Sequence, residues 1–219
     1  RWENPVRGLF QKVVLIVVDG LRPDAVTSDG MPVLHALMRQ AWRAEQAVTV
    51  RPSVTVAALT SLATGVSPAT HGITEAGLRR LPKMRGLRPL PMELKRLGVE
   101  TTIVAPELPG AGRLLAGALL RLAGANRLMT PASAPGGLLA AAMRQVEGNP
   151  NRELVVVYLN DADLAGHAWG WMSPAYQSAA RVIDRALARI VPLLAHQEAL
   201  IAITADHGGG GVLERDHDH

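Results

Sequence analysis

The chain contains no cysteine, which excludes a disulfide framework and thiolate metal sites, so any metal it holds must be bound by oxygen and imidazole nitrogen. Aromatic residues are nearly as scarce. One phenylalanine, two tyrosines and four tryptophans leave few platforms on which nucleobases could stack. No apolar run approaches the roughly 20 residues of a membrane span; the longest clean one covers 13–18. Neither sign of charge dominates, since 23 lysines and arginines face 19 acidic residues for a formal charge of +4. That excess is too small to specify nucleic acid, and no nucleic-acid or membrane partner is implied. The chain opens at Arg1 rather than at a methionine. A removed signal peptide or propeptide is compatible with that, so the compartment stays unread.

What is present is enough for a substantial core. With 219 residues, 48% of them hydrophobic and 19% charged, the chain is expected to form one globular domain over 1–219, with a truncation at its C-terminal end left open. Five β-rich runs, at 13–18, 47–50, 101–104, 154–159 and 200–204, alternate with helical stretches at 31–41, 55–63, 91–97, 114–122, 137–146 and 174–195. This alternation predicts an α/β fold around a mostly parallel sheet. Three of the strands are nearly continuous apolar runs, as expected of strands covered on both faces. The last helix has Ser173 as its cap and Pro174 in its first turn, with Pro192 as a point where it kinks or ends. Its apolar stripe, Val182, Ile183, Leu187, Ile190, Val191 and Leu194, predicts a core-facing side.

Four polar clusters stand at the ends of apolar runs: Asp19, the segment Ser53-Val54-Thr55, the pair Asp163 and His167, and Asp206-His207. Asp19, Asp163 and Asp206 all follow strands, and the carboxyl edge of a parallel sheet is where ligands bind. Each cluster alone has an ordinary explanation. Asp19-Gly20 is a common turn. Ser and Thr far more often cap helices than attack substrates, so the hydroxyl cluster before 55–63 is first of all a candidate cap. Asp163 and His167 share a face only if their segment is helical, and Asp161 is a rival carboxylate. Asp206-His207 precedes four glycines, which suits close approach of backbone to a bound ion. Together the clusters supply carboxylates, imidazoles and hydroxyls, the inventory of a two-metal hydrolase with a covalent nucleophile.

In order along the chain, Val17-Val18-Asp19-Gly20, Pro52-Ser53-Val54-Thr55, Thr64-Gly65, Pro68-Ala69-Thr70-His71-Gly72-Ile73, Asp163 with Gly166-His167, and Ala205-Asp206-His207-Gly208 resemble the motifs of the alkaline phosphatase superfamily, in particular its type I phosphodiesterase/nucleotide pyrophosphatase branch. The resemblance implies a three-layer α/β/α sandwich with a mostly parallel central sheet. It implies a metal-dependent phosphoric ester hydrolase with two divalent ions, zinc by family habit. Thr55, at the family's spacing before Thr-Gly, takes the role of nucleophile rather than Ser53. One ion falls to Asp19, Thr55, Asp206 and His207, and the other to Asp163, His167 and a later histidine, His217 or, alternatively, His219 or a residue beyond the end. The implied substrate is a small phosphate ester, with a nucleotide as one candidate. His71 takes a structural role in its loop.

Two departures from the family pattern are visible. Ala76 stands where the phosphodiesterase branch carries an asparagine for a phosphate oxygen, which leaves mono- against diester preference open. The arginine and lysine run at Arg79, Arg80, Lys83, Arg85 and Arg88 is either a replacement contact or, as charge runs usually are, a solvated face. A phosphomonoesterase or phosphonate hydrolase of the same superfamily is the nearest alternative, while the missing cysteine and Thr55 argue against a sulfatase. A non-catalytic metal- or nucleic-acid-binding relative is the alternative from another class. Trp169 and Trp171, just past His167, are candidates for packing first and for a pocket wall second.

Overall fold

The computed structural model describes residues 10–74, 86–107, 117, 120–121, 123–131 and 134–210. Five parallel strands form one sheet: β1 (Lys12–Val18), β2 (Glu100–Val104), β3 (Arg127–Met129), β4 (Glu153–Leu159) and β5 (Leu200–Ala205), in the order β3-β2-β4-β1-β5. The helices among the described residues are α1 (Pro32–Gln40), α2 (Thr55–Thr64), α3 (Pro68–His71), α4 (Leu90–Arg96), α5 (Pro135–Gly148), α6 (Asp161–Trp169) and α7 (Pro174–His196). The architecture is the expected α/β sandwich.

The core follows from strand alternation. Val14, Ile16 and Val18 of β1 line up with Val155, Val157 and Leu159 of β4, all fully buried, and with Ile201, Ile203 and Ala205 of β5. Successive side chains point to opposite faces, so these residues share one face, over which lie Leu138, Leu139, Ala141 and Ala142 of α5 and Ile183, Leu187 and Leu194 of α7. Val17 and Tyr158 are paired in register on the other face, toward which the Asp19 side chain also projects by alternation.

Helix α7 shows how local sequence sets an element. Ser173 Oγ accepts the Tyr176 N–H at 3.2 Å, and Pro174 occupies the first turn. The helix runs through Pro192 to His196 without ending there. Its buried side is narrower than the stripe read from sequence, because Val182 is exposed. Helix α1 depends on α7 for its start: its N-cap position, Met31, offers no side-chain acceptor. Instead the buried Asp184 carboxylate accepts the Val33 and Leu34 N–H groups at 3.0 and 2.8 Å.

Two expectations about elements need correction. Residues 47–50 are not a strand, and the fifth strand is β3, which pairs with β2 over three residues. A three-residue strand is too short for its periodicity to register, whereas the apolar triplet at 47–50 lacks a partner in the sheet order. The helix expected at 114–122 falls largely outside the described residues.

Candidate metal centre and nucleophile

Strand register brings the polar clusters together. Val18 pairs with both Leu159 and Ala205, so β4, β1 and β5 end level with one another. Asp19 and Asp206, each one residue further, therefore stand side by side, and the Asp19 N–H still bonds the Leu159 carbonyl at 2.8 Å. Gly20 turns the chain at φ 65°, and a Cβ there would lie 2.9 Å from the Asp163 Cα. Glycine at this position thus lets α6 close onto the end of β1.

Asp19, Asp206 and His207 are 2%, 4% and 3% exposed, and their ligand atoms all lie within 4.8 Å of one another. Each has its other polar atom tied down. Tyr158 donates to Asp19 Oδ2. Asp206 Oδ1 accepts the His207 and Gly20 N–H groups at 2.8 and 3.2 Å. His207 Nδ1 lies 2.6 Å from the Gly208 carbonyl, which can only accept, so Nδ1 carries the hydrogen and Nε2 presents its lone pair. Nε2 then faces Asp19 Oδ1 at 3.2 Å and Asp206 Oδ2 at 3.7 Å. Asp206 Oδ2 is buried without a hydrogen-bond donor. Three acceptors converging in a buried place repel one another unless a positive charge sits among them, and this oxygen and nitrogen set fits a divalent cation such as zinc.

The electrostatics point the same way. Burial first, then the neighbouring Asp206 charge, pushes the Asp19 carboxyl up to about 7, against the opposing Tyr158 hydrogen bond. Burial likewise raises Asp206. The Tyr158 phenol is raised by burial and by Asp19, so it remains a protonated donor.

Thr55 is the first residue of α2, preceded by Val54 as a cap residue that makes no side-chain capping bond. Neither Ser53 nor Thr55 is that cap. The Thr55 hydroxyl instead lies 3.0 Å from His207 Nε2 and 3.5 Å from Asp19 Oδ1. Asp163 and His167 stand one turn apart on α6, with Oδ1 to Nε2 at 3.4 Å. Asp163 Oδ1 is buried without a hydrogen-bond donor, a second acceptor suited to a cation. Asp161 opens the same helix, but the carboxylate that faces the His167 ring is that of Asp163. His217 and His219 lie outside the described residues, as do Ala76, Arg79, Arg80, Lys83 and Arg85. Arg88 is exposed and paired with Glu93 at 3.5 Å.

Several residues at the site were not singled out from sequence. Tyr158 is a lone hydroxyl in the aliphatic run of β4, and that anomaly was its available signal. The Thr49 hydroxyl donates to the Asp206 carbonyl at 2.5 Å, from a segment read as a strand. His71 is buried, and its Nδ1 accepts the Ile73 N–H at 2.9 Å, which leaves Nε2 to donate to Ser61 Oγ at 3.0 Å. That tautomer cannot deprotonate Ser61, so this serine–histidine pair shapes the loop after α2.

A parallel α/β sheet whose carboxyl edge gathers carboxylates, imidazoles and a helix-terminal hydroxyl defines a class of α/β domain with a candidate metal site at that edge. More narrowly, the chain belongs to the type I phosphodiesterase/nucleotide pyrophosphatase family, whose model matches residues 13–81 and 116–218. Among solved structures it is similar to murine ectonucleotide pyrophosphatase/phosphodiesterase 5, an inactive threonine-to-alanine form in complex with AMP. The identity is 19% over 90% of this chain and 57% of that one, with a TM-score of 0.72. It is also similar to the C-terminal periplasmic domain of EcEptC from Escherichia coli in complex with zinc, at 14% identity over 95% of this chain and 67% of that one, TM-score 0.67. A third is phosphonoacetate hydrolase from Sinorhizobium meliloti 1021 with phosphonoformate, at 20% identity over 90% of this chain and 56% of that one, TM-score 0.63. All three are alkaline phosphatase superfamily members, and at such identities the likeness is one of fold. The chain spans 57% of the length of the murine protein. No curated protein sequence matches it.

Proposed function

We propose that this protein is a metal-dependent hydrolase of phosphoric esters, of the phosphodiesterase/nucleotide pyrophosphatase type, with Thr55 as nucleophile. The observation that carries it is the Thr55 hydroxyl at the start of α2, 3.0 Å from His207 Nε2, beside the buried Asp19, Asp206 and His207 acceptors. Asp19, Asp206, His207 and Thr55 would hold one ion, and Asp163 and His167 would hold the other, completed by His217 or alternatively His219. Two such cations, zinc in the first instance, supply a lowered hydroxyl pKa and charge neutralisation on the phosphoryl oxygens.

The chain's own groups do the rest. The one lone pair of His207 Nε2 would be taken by the ion, so the Thr55 hydrogen is directed toward Asp19 Oδ1 at 3.5 Å, which leaves an oxygen lone pair for phosphorus. The first N–H groups of α2 have no side-chain cap at Val54 and are available, with the helix dipole, to phosphoryl oxygens. As the Oγ1–P bond forms and the ester P–O bond breaks, the hydroxyl proton passes to Asp19 Oδ1 and the departing ester oxygen takes a proton from water; a water oxygen then bonds to phosphorus, the Oγ1–P bond breaks, and Oγ1 regains its proton from Asp19. An AMP complex of the murine structural relative supports a nucleotide as the substrate class, and its inactive threonine variant supports a threonine in the central role. The phosphonate hydrolase among the similar folds keeps phosphonates as the second substrate class.

The deciding measurement is turnover of bis-p-nitrophenyl phosphate against p-nitrophenyl phosphate while zinc is titrated in. Preference for the diester is expected. A strong preference for the monoester would replace the phosphodiesterase assignment with a phosphomonoesterase, and zinc binding without turnover of either ester would make the protein a non-catalytic binder.

A further inference from the structure

The glycines around the site are of two kinds. Gly20 and Gly210 adopt φ of 65° and 91°, conformations that an L side chain rarely takes. Gly166 and Gly209 adopt no such conformation, and Gly166 lies inside α6, where alanine is the better helix former. What Gly166 and Gly209 share is Trp171. A Cβ at Gly166 would lie 2.6 Å from the indole Cε3 and Cζ3, and one at Gly209 would lie 2.1 Å from Cζ2. The indole is therefore wedged between α6 and the segment that follows His207, and both backbones are stripped of side chains where they meet it.

The wedge reaches all three ligand-bearing loops. Trp171 is 7% exposed and meets the His167 ring edge-on, with centroids 5.5 Å apart and planes at 68°. It meets Tyr176 in the same manner at 5.7 Å. The Tyr176 hydroxyl donates to the Gly20 carbonyl and accepts the Arg22 N–H, both at 2.8 Å. Arg22 Nη1 in turn donates to the Gly209 carbonyl at 2.9 Å. The loop after β1, helix α6 after β4 and the loop after β5 are thus closed into a ring of contacts with Trp171 at its centre.

We propose that Trp171 is a positioning residue, the spacer that sets the separation between the Asp163/His167 group and the Asp206/His207 group, and that Gly166 and Gly209 are glycine because the indole occupies the space of their side chains. The role rests on the two-subsite function proposed above.

The test is a double-mutant cycle between Gly209→Ala and Trp171→Leu, with zinc content, kcat, KM and Tm measured on the parent and every variant. Because a displacement of about 1 Å costs on the order of 100-fold in rate, each single change is expected to lower kcat by at least about 10-fold with KM within about threefold, and to lower zinc content. With the indole removed the added methyl loses the three atoms nearest to it, all of them of Trp171, so the double variant is expected to match Trp171→Leu. Independent, multiplying losses would show that glycine at 209 does not serve the indole and would overturn the proposal. A Trp171→Leu protein with lowered Tm but parental kcat and zinc content would also overturn it, leaving a core filler. Should Trp171→Leu fail to fold, Trp171→Phe replaces it in the cycle. A variant with Trp2, Trp42 and Trp169 changed to Phe then reads the position optically: zinc added to the metal-free protein is expected to shift Trp171 emission, and an emission unchanged by bound zinc counts against the role. A parent that neither binds zinc nor turns over ester removes the function and the positioning role together, whereas a working parent with indifferent variants removes the positioning role alone.

Discussion

At the scale of single residues, the site separates charge from chemistry. Thr55 contributes a hydroxyl and little burial, so Thr55→Ala is expected to keep its zinc while turnover falls by about 1,000-fold or more; near-parental hydrolysis would remove the nucleophile role. Asp206 is the opposite case. Its Oδ2 is buried without a donor and its Oδ1 is committed to two backbone N–H groups. Asp206→Asn retains shape but brings an amide donor toward the cation, so elemental analysis should find less zinc, and unchanged zinc would exclude Asp206 as a ligand. His71 makes a prediction away from the candidate metal site. Burial holds its imidazole below the ordinary value of 6.5, and Nδ1 is occupied by the Ile73 N–H. The unfolded chain therefore takes up this proton first. Stability from His71 is complete above about 6.5 and is lost as pH falls from there through the depressed folded value. The parental Tm should fall more steeply between pH 7 and pH 5 than that of His71→Gln, and parallel profiles would show that His71 contributes nothing to acid sensitivity.

Among elements, helices start with help from elsewhere in the chain. Asp184 on α7 takes two N–H groups of α1, and it is 2% exposed. Asp184→Ala leaves both donors without their acceptor, at a cost of about 1–3 kcal/mol, and thermal unfolding should report it as a lower Tm with zinc content unchanged. A Tm equal to the parent's would mean that water replaces the carboxylate. The element pattern also shows what sequence can carry. The long runs of β1, β4 and β5 and the capped start of α7 were legible because each is a local pattern of several residues. β3 was not, because three residues carry no period, and 47–50 resembled a strand because apolar residues without a pairing partner look the same as those with one. The helical state of α6 was left open by sequence, and it is what places Asp163 and His167 on one face.

For the whole molecule, the like-charged pair Asp19 and Asp206 links stability to pH and to cations. Burial and the neighbouring Asp206 charge push the folded Asp19 carboxyl up to about 7, against 3.8 for an ordinary aspartate, so the folded metal-free protein holds a proton that the unfolded chain has already lost. The associated stability is present below about 3.8 and disappears as pH rises through about 7. A cation among the acceptors offsets that loss, and ionised ligands bind it better. Zinc is therefore expected to raise Tm more at pH 8 than at pH 5.5. An equal rise at both values would place the zinc away from Asp19 and Asp206.

The sequence by itself determined the inventory: apolar runs long enough to be strands, no thiol for a metal, and carboxylates, imidazoles and hydroxyls at the ends of those runs, in the order of one family. These are local properties, legible wherever a pattern spans several neighbours. Only the tertiary structure decided which atoms meet. It set the level ends of β4, β1 and β5, put the Thr55 hydroxyl at His207 Nε2, fixed the His207 tautomer through Gly208, and brought Tyr158, Tyr176 and Trp171 to the site. The reason is register: pairing between strands more than a hundred residues apart in the chain selects these contacts, and no local pattern encodes which strand lies beside which.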